Sequence, residues 1–386
     1  MIQFELPSEY EDFRKTARDF ARKEVAPLVT QAEEKEEFPK QLLRRMGELG
    51  LLCLTVPEQY GGPGGDIFSQ CIFTEELGYV SLGMAIGTMV HAAYAASLLV
   101  ECGTEEQKRR YLPPACAGEE AWAFAATEAE AGSDRSRIQT TIRDAGDHYV
   151  LDGTKTFITN STIADYLIVE GYSDKSKGMQ GLSLLIVPRD TQGLSVRKLS
   201  KAGIRCSEIA ELTFQGCVVP KENQLGIHGE AFEKVKRIRI ASWLLVGARA
   251  IGVSRAAFDA ALDHAKTRVQ FGRPIGHYQA NGFRLADMAV DIDAARLLML
   301  RAAALHHRGS ECAQEASMLK LFSSEMAVRI TGQALQMHGA AGYMMDSPLQ
   351  RYFRDARMLT ISEGSSEIQH INLARGLGIK ANDYYA

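Results

Sequence analysis

Apolar positions along this chain recur first with a helical period, then in short β-type runs, then with a helical period again. Within 8–120, Ser8 precedes Glu9 and Glu11 and a pattern of Phe13, Ala17, Phe20, Ala21 and Val25 that ends near Pro27. Further helices are predicted over 40–50, 68–80 and 85–102. The run Gly61-Gly62-Pro63-Gly64-Gly65 interrupts them, lacks the Lys-Ser/Thr of a phosphate loop and reads as a flexible connection. Met84, Gly87, Thr88, Met89 and His91 read as helix packing.

From about 121 the runs become short, β-branched and aromatic, at 149–151, 155–159, 166–169, 182–187, 194–196 and 211–214. They predict a compact antiparallel β domain. Helical periodicity returns at about 226, with long runs over 232–268, 279–307 and 313–338 and a shorter pair flanking Glu363. The expected organisation is a helical domain over 1–120, a β domain over 121–225 and a helical bundle over 226–386.

Composition narrows the classes. At 386 residues the chain exceeds one ordinary core, and 46% hydrophobic with 24% charged residues fits a globular protein. A net charge of -4 and the lack of a long basic tail give no general case for nucleic acid or an anionic membrane. The seven cysteines form no C-x-x-C pair, so neither a disulfide framework nor a metal site is expected and a reducing compartment fits. The N-terminus shows no basic region before an apolar core, and no segment offers about 20 uninterrupted apolar residues. The cytoplasm is the expected location.

Four stretches carry candidate chemistry. Glu363 stands alone in the Ser/Gly loop Ser362-Glu363-Gly364-Ser365 between two helical runs, where apolar neighbours would suit a carboxylate to general base work; otherwise it decorates a turn. In 122–134 an apolar strand enters a loop where Thr127, Ser133 and backbone N–H groups either hold the polar edge of a flat cofactor or form an ordinary turn. Phe157 and Thr159 fall on the same side of a strand, presenting an aromatic wall and a hydroxyl. Arg268 and Phe271 either grip a pyrophosphate and an adenine or cap and pack a helix end.

Together these stretches resemble the acyl-CoA dehydrogenase family of flavoproteins over nearly the full chain. The resemblance rests on T-E-x-x-A-G-S-D at 127–134, G-x-K-x-F-I-T-N at 153–160 and the strand-loop at 218–226. It continues with R-x-Q-F-G at 268–272, Gln336-x-His338-Gly339 before Gly342-Tyr343, R-D-A-R at 354–357 and E-G-S-S-E-I-Q at 363–369. It implies an α+β multidomain fold with a helical N-terminal domain, a β-barrel-like middle domain and a C-terminal four-helix bundle. It also implies FAD, with Glu363 removing an α-proton from an acyl thioester as a β-hydride passes to the flavin.

By the same resemblance, Phe124, Ala126, Thr127, Phe157 and Thr159 surround the flavin ring, and Ser133 stands near the pyrophosphate and the substrate. Arg268, Phe271, Gln336, Gly339 and Ala340 grip the ADP part of a neighbouring subunit's FAD, with Ser365 and Glu367 on the loop that closes over it. Trp243, Ser362 and Gly364 fall on the substrate side. A homo-oligomer, usually a tetramer, and reoxidation by an electron-transfer flavoprotein are implied as well.

The chain departs from the family at several positions. Ile240 and Trp243 replace a D-x-x-R pair on the CoA side, Ser362 replaces an aromatic residue before the base, and Ala129-Glu130 replaces Pro-Gly. The lost charges and the added carboxylate raise an acyl carrier protein as the alternative thioester carrier to CoA. A flavin oxidase or monooxygenase on this fold is a further alternative, against which Glu363 argues. A non-catalytic, DNA-binding member is another, against which the mixed-sign charge argues.

Overall fold

The computed structural model describes residues 6–379. Residues 1–5 and 380–386, on which part of the N-terminal reading and the outer ends of two expected domains fall, lie outside the described residues. The first helices are α1 (Ser8–Phe20), α2 (Ala26–Lys35), α3 (Gln41–Glu48), α4 (Ile67–Val80), α5 (Leu82–Met89), α6 (Ala96–Cys102) and α7 (Glu105–Cys116). Side-chain caps fix several of their starts: Asp66 accepts from Ser69 N–H ahead of α4, and Thr104 and Gln107 form a reciprocal box at α7. The helix predicted over 85–102 starts earlier, at Leu82, and a π-helical turn at Val90–Ala95 divides it.

The glycine run is no flexible connection. Gly64 and Gly65 N–H groups bond to the Val56 and Leu54 carbonyls, and a Cβ on Gly62 would meet the Val56 oxygen at 2.2 Å. Glycine is needed there because two backbones pass in contact.

The β elements are β1 (Trp122–Ala125), β2 (Thr141–Asp144), β3 (His148–Thr159), β4 (Tyr166–Tyr172), β5 (Leu182–Pro188), β6 (Leu194–Leu199), β7 (Ile209–Pro220) and β8 (Gln224–Leu225). Their order is β6-β7-β3-β2-β4-β5-β8, with β1 pairing β4. The sheet is not wholly antiparallel as expected: β1 and β2 both run parallel to β4, the return direction being taken by β3, which pairs antiparallel with β2. Alternation along β4 sends Leu167 and Val169 into the β domain's own core and Ile168 and Tyr172 into a core shared with the N-terminal helices.

The remaining main helices are α8 (Ala231–Thr267), α9 (Gln279–His307), α10 (Ala313–His338), α11 (Ala340–Tyr343), α12 (Pro348–Arg357) and α13 (Ser366–Gly376). Two helical stretches, Leu82–Cys102 and Ala231–Thr267, are long and apolar enough to span a bilayer, and both are mostly buried within the protein. They are core helices. Glu75 on α4 takes Arg14, Arg255 and Arg296 at 3.1, 2.7 and 2.7 Å, tying the N-terminal helices to α8 and α9. His91 is likewise structural, its ring accepting from Trp122 N–H and meeting the Ala115 carbonyl at 2.9 Å.

Candidate active site

The chain leaves α12 through a 3-10 turn at Met358–Thr360 and reaches α13 by way of Glu363 (φ 58) and Gly364 (φ 84). A glutamate in the left-handed region is disfavoured on its own, so neighbours must hold it. The Trp243 indole N–H donates to the Glu363 carbonyl at 2.7 Å, and the Gln369 amide reaches the Gly364 carbonyl at 3.3 Å. The Glu363 N–H has no hydrogen-bond partner among the described residues.

Two parts of the chain reach the Glu363 side chain, and a third packs on one of them. The Tyr94 phenol, from the π-helical turn between α5 and α6, donates to its Oε2. Ser242 on α8 donates to the same oxygen at 3.3 Å and lies 3.0 Å from the phenol oxygen. The Tyr94 ring stacks on Phe124 of β1 with centroids 5.5 Å apart and planes 9° from parallel. Burial, reinforced by the neighbouring carboxylate, pushes the Tyr94 phenol well above its usual range and keeps it a donor. The apolar surroundings expected for Glu363 are thus replaced by two hydroxyls.

Cationic groups add to that polarity. Burial, and after it the charge of Arg239, lowers the Arg135 guanidinium to about 9, against the pull of Tyr94 and Glu363. Burial lowers Arg249 to about 10 against the pull of Glu363, and Lys320 to about 8. Arg249 Nη1 rests 2.7 Å from Met89 Sδ; its Nε and the Lys320 Nζ have no hydrogen-bond partner among the described residues.

The other residues singled out from the sequence fall into two groups. On the β domain, Ala126 is buried, Thr127 and Thr159 are half-buried, and Phe157 is 63% exposed. Phe157 has φ 58 and sits within a register shift of β3 against β7, so strict alternation fails locally, yet Phe157 and Thr159 still flank a buried Ile158 on the open side. Buried Lys155 braces the adjoining loop, bonding the Ala126 carbonyl at 2.9 Å and Glu128 at 2.8 Å. Ser133 and Glu130 are exposed, and Glu130 lies 4.0 Å from Arg137.

Arg268, Phe271, Gln336, Gly339 and Ala340 form the second group, all exposed, with Phe271 at 94%. Stacked His264 and His338 bring the ends of α8 and α10 together beside them. None of the five makes a described hydrogen bond or ring contact to the Glu363 group. Near the base, Ser365 is half-buried, Glu367 is exposed, and the Ser362 hydroxyl is buried without a partner among the described residues. Trp243, expected on the substrate side, directs its N–H to the base's own backbone.

Sequence reasoning missed Tyr94, Arg135, Ser242 and Arg249. The available signal was a charged residue directly after the T-E-x-x-A-G-S-D motif.

A glutamate hydrogen-bonded by hydroxyls thus lies where the β domain comes together with the two helical regions. Family models for the N-terminal, middle and C-terminal domains of acyl-CoA dehydrogenase match residues 7–119, 123–217 and 242–378. An acyl-CoA dehydrogenase of Bacillus subtilis is 41% identical over 365 residues, covering 94% of this chain and 96% of that protein. The solved butyryl-CoA dehydrogenase of Megasphaera elsdenii superposes with a TM-score of 0.94 at 37% identity, covering 97% of this chain and 100% of that one. The prolyl acyl carrier protein oxidase AnaB superposes with a TM-score of 0.93 at 31% identity, covering 97% and 100%. This chain belongs to the acyl-CoA dehydrogenase family, whose members are oxidoreductases acting on CH–CH groups.

Proposed function

We propose that this protein is an FAD-dependent dehydrogenase that introduces an α,β double bond into an acyl thioester, with Glu363 as the base. The observation that carries the reading is the Glu363 carboxylate, held by hydroxyl donors while its own backbone N–H stays unbonded. The exposed Phe157 ring, beside half-buried Thr127 and Thr159, fits the flat apolar body of a flavin, and the loop braced by Lys155 fits its polar edge. FAD supplies the hydride acceptor when bound.

In this reading Glu363 takes the α-proton, the C–H electrons form the new double bond, and the β-hydrogen departs with its electron pair. The Glu363 N–H donates to the thioester carbonyl oxygen as negative charge develops there. Tyr94 and Ser242 keep the carboxylate oriented. Arg268, Phe271, Gln336, Gly339 and Ala340 complete a neighbouring subunit's FAD site, which makes the protein a homo-oligomer, a tetramer by family likeness. An electron-transfer flavoprotein then takes up the electrons.

The carrier has two candidates. CoA fits the named relatives, whereas a carrier-protein thioester fits the Ile240 and Trp243 replacements and the likeness to AnaB. The deciding experiment is anaerobic bleaching of flavin absorbance by short, medium and branched acyl-CoAs, beside the same acyl groups on a carrier protein. Bleaching by either carrier supports the reaction; bleaching by neither overturns it.

A further inference from the structure

The loop between β1 and β2, residues 126–140, carries Thr127 and Ser133 and contains only one short 3-10 turn, at Arg135–Arg137. A loop of this length presents a fixed surface only where side chains tie it down. Glu128 ties its two ends together, accepting from the Gln139 and Thr140 N–H groups at 2.6 and 3.0 Å, while Lys155 bonds it from β3. The middle of the loop, around Ser133, is held separately.

Arg135 holds it. Its side chain is 11% exposed and forms an ion pair with the carboxylate of Glu170, which is fully buried. Glu170 follows Val169 on β4, and Val169 is the register partner of Ala125, the last residue of β1. The guanidinium therefore reaches back from the middle of the loop to the point where the chain leaves β1. The backbone around this anchor is fixed twice more: Asp134 accepts from the Ser136 N–H at 3.1 Å, and the Tyr172 phenol of β4 donates to the Ser136 carbonyl at 3.4 Å.

Stability does not explain the pair. Neither group has another ion-pair partner among the described residues, and Arg135 Nε and Glu170 Oε1 make no hydrogen bond there. Two apolar side chains commonly match or better a buried pair so sparsely bonded, and Ile168 and Tyr172 already make this face of β4 part of an apolar core. What apolar side chains do not supply is a unique seat. Each charge is satisfied only by the other, so the loop has one register on β4.

Building on the FAD reading of this loop, we propose that the Arg135–Glu170 pair is a positioning clamp for the flavin site, holding Ser133 and its neighbouring N–H groups ready for the pyrophosphate. Donors fixed beforehand bind a phosphate without the cost of ordering the loop, so losing the clamp weakens FAD and leaves the fold. Neither residue belongs to the stretches that carry the family resemblance.

The test is a mutant cycle on the flavin-loaded protein, with the FAD dissociation constant read from the fluorescence of flavin released on dilution. Arg135→Met alone would strand the buried Glu170, so the clamp is removed by Arg135→Met together with Glu170→Met. This pair variant should melt cooperatively near the parent temperature in excess FAD yet hold FAD about tenfold more weakly. Ser133→Ala should weaken FAD about tenfold in the parent and almost not at all in the pair variant, where Ser133 is no longer held in place. Glu170→Asp, which keeps both charges and shortens their reach, should weaken FAD severalfold in the same direction.

Parent-like FAD affinity in both the pair variant and Glu170→Asp overturns the clamp. So does a Ser133→Ala effect of equal size in the two backgrounds, or none in the parent, because the pair would then not act through Ser133. A protein that holds FAD in this way but is bleached by no thioester keeps the clamp and loses the dehydrogenase reading. A protein that takes up no FAD at all overturns both.

Discussion

The Tyr94 phenol donates a hydrogen bond to the Glu363 carboxylate across 269 positions of sequence. This single contact joins the N-terminal helices to the C-terminal loop, and the stacking of Tyr94 on Phe124 adds the β domain to the same point. The base is therefore positioned by all three parts of the fold, and each can be perturbed separately.

Replacing the base itself is the most direct perturbation. Glu363→Gln keeps the shape of the side chain and an acceptor for Tyr94 and Ser242, so the protein should fold and retain yellow flavin. Loss of a positioned general base should slow flavin reduction by at least about a hundredfold. Stopped-flow bleaching under anaerobic conditions reads this directly, and reduction at the unmodified rate would remove Glu363 from the mechanism.

Tyr94→Phe tests the phenol alone. The ring stays stacked on Phe124 while the hydrogen bond that orients the carboxylate is lost. Flavin reduction should slow severalfold to tenfold in anaerobic stopped flow, with melting temperature nearly unchanged. Reduction at the parent rate would mean that the phenol does not act on the base.

Trp243→Phe isolates the backbone support. The indole N–H is the short bond that holds the Glu363 carbonyl in a left-handed turn, and phenylalanine preserves most of the apolar bulk. Removing one such bond is worth about 1 kcal/mol, or roughly a fivefold change in an equilibrium. The expected outcome is a severalfold lower turnover rate with little change in melting temperature. An equal loss of melting temperature and rate would mark Trp243 as packing only.

The long helices and the change to β structure were legible because hydrophobic period is a local property: the predicted run over 313–338 coincides with α10. The parallel pairing of β1 with β4 was not, since strand direction depends on partners distant in sequence. Glu363 stood out as a lone acid between two helical runs, but its surroundings did not. Tyr94 and Ser242 sit within apolar helical runs where sequence alone suggests packing, and only the fold brings them to the carboxylate. The exposure of Phe271 illustrates the same limit, because a surface ring gains meaning only from what covers it.

Glu75 provides a stability test remote from the chemistry. Burial alone would raise its carboxyl, but Arg296, Arg14 and Arg255 outweigh that and bring it from 4.5 to about 2. Since the folded-state value is depressed, the stabilisation is fully present above about pH 4.5 and is lost as pH falls through about 2. Glu75→Gln leaves three arginines facing a neutral amide and should cost about 3 kcal/mol at neutral pH, with Glu76 retaining its own contacts to Arg14, Arg18 and Arg255. Melting temperature measured from pH 7 to pH 2 should show the variant below the parent at neutral pH and the two curves converging under acid. Coincident curves at pH 7 would show that the Glu75 cluster contributes no net stability.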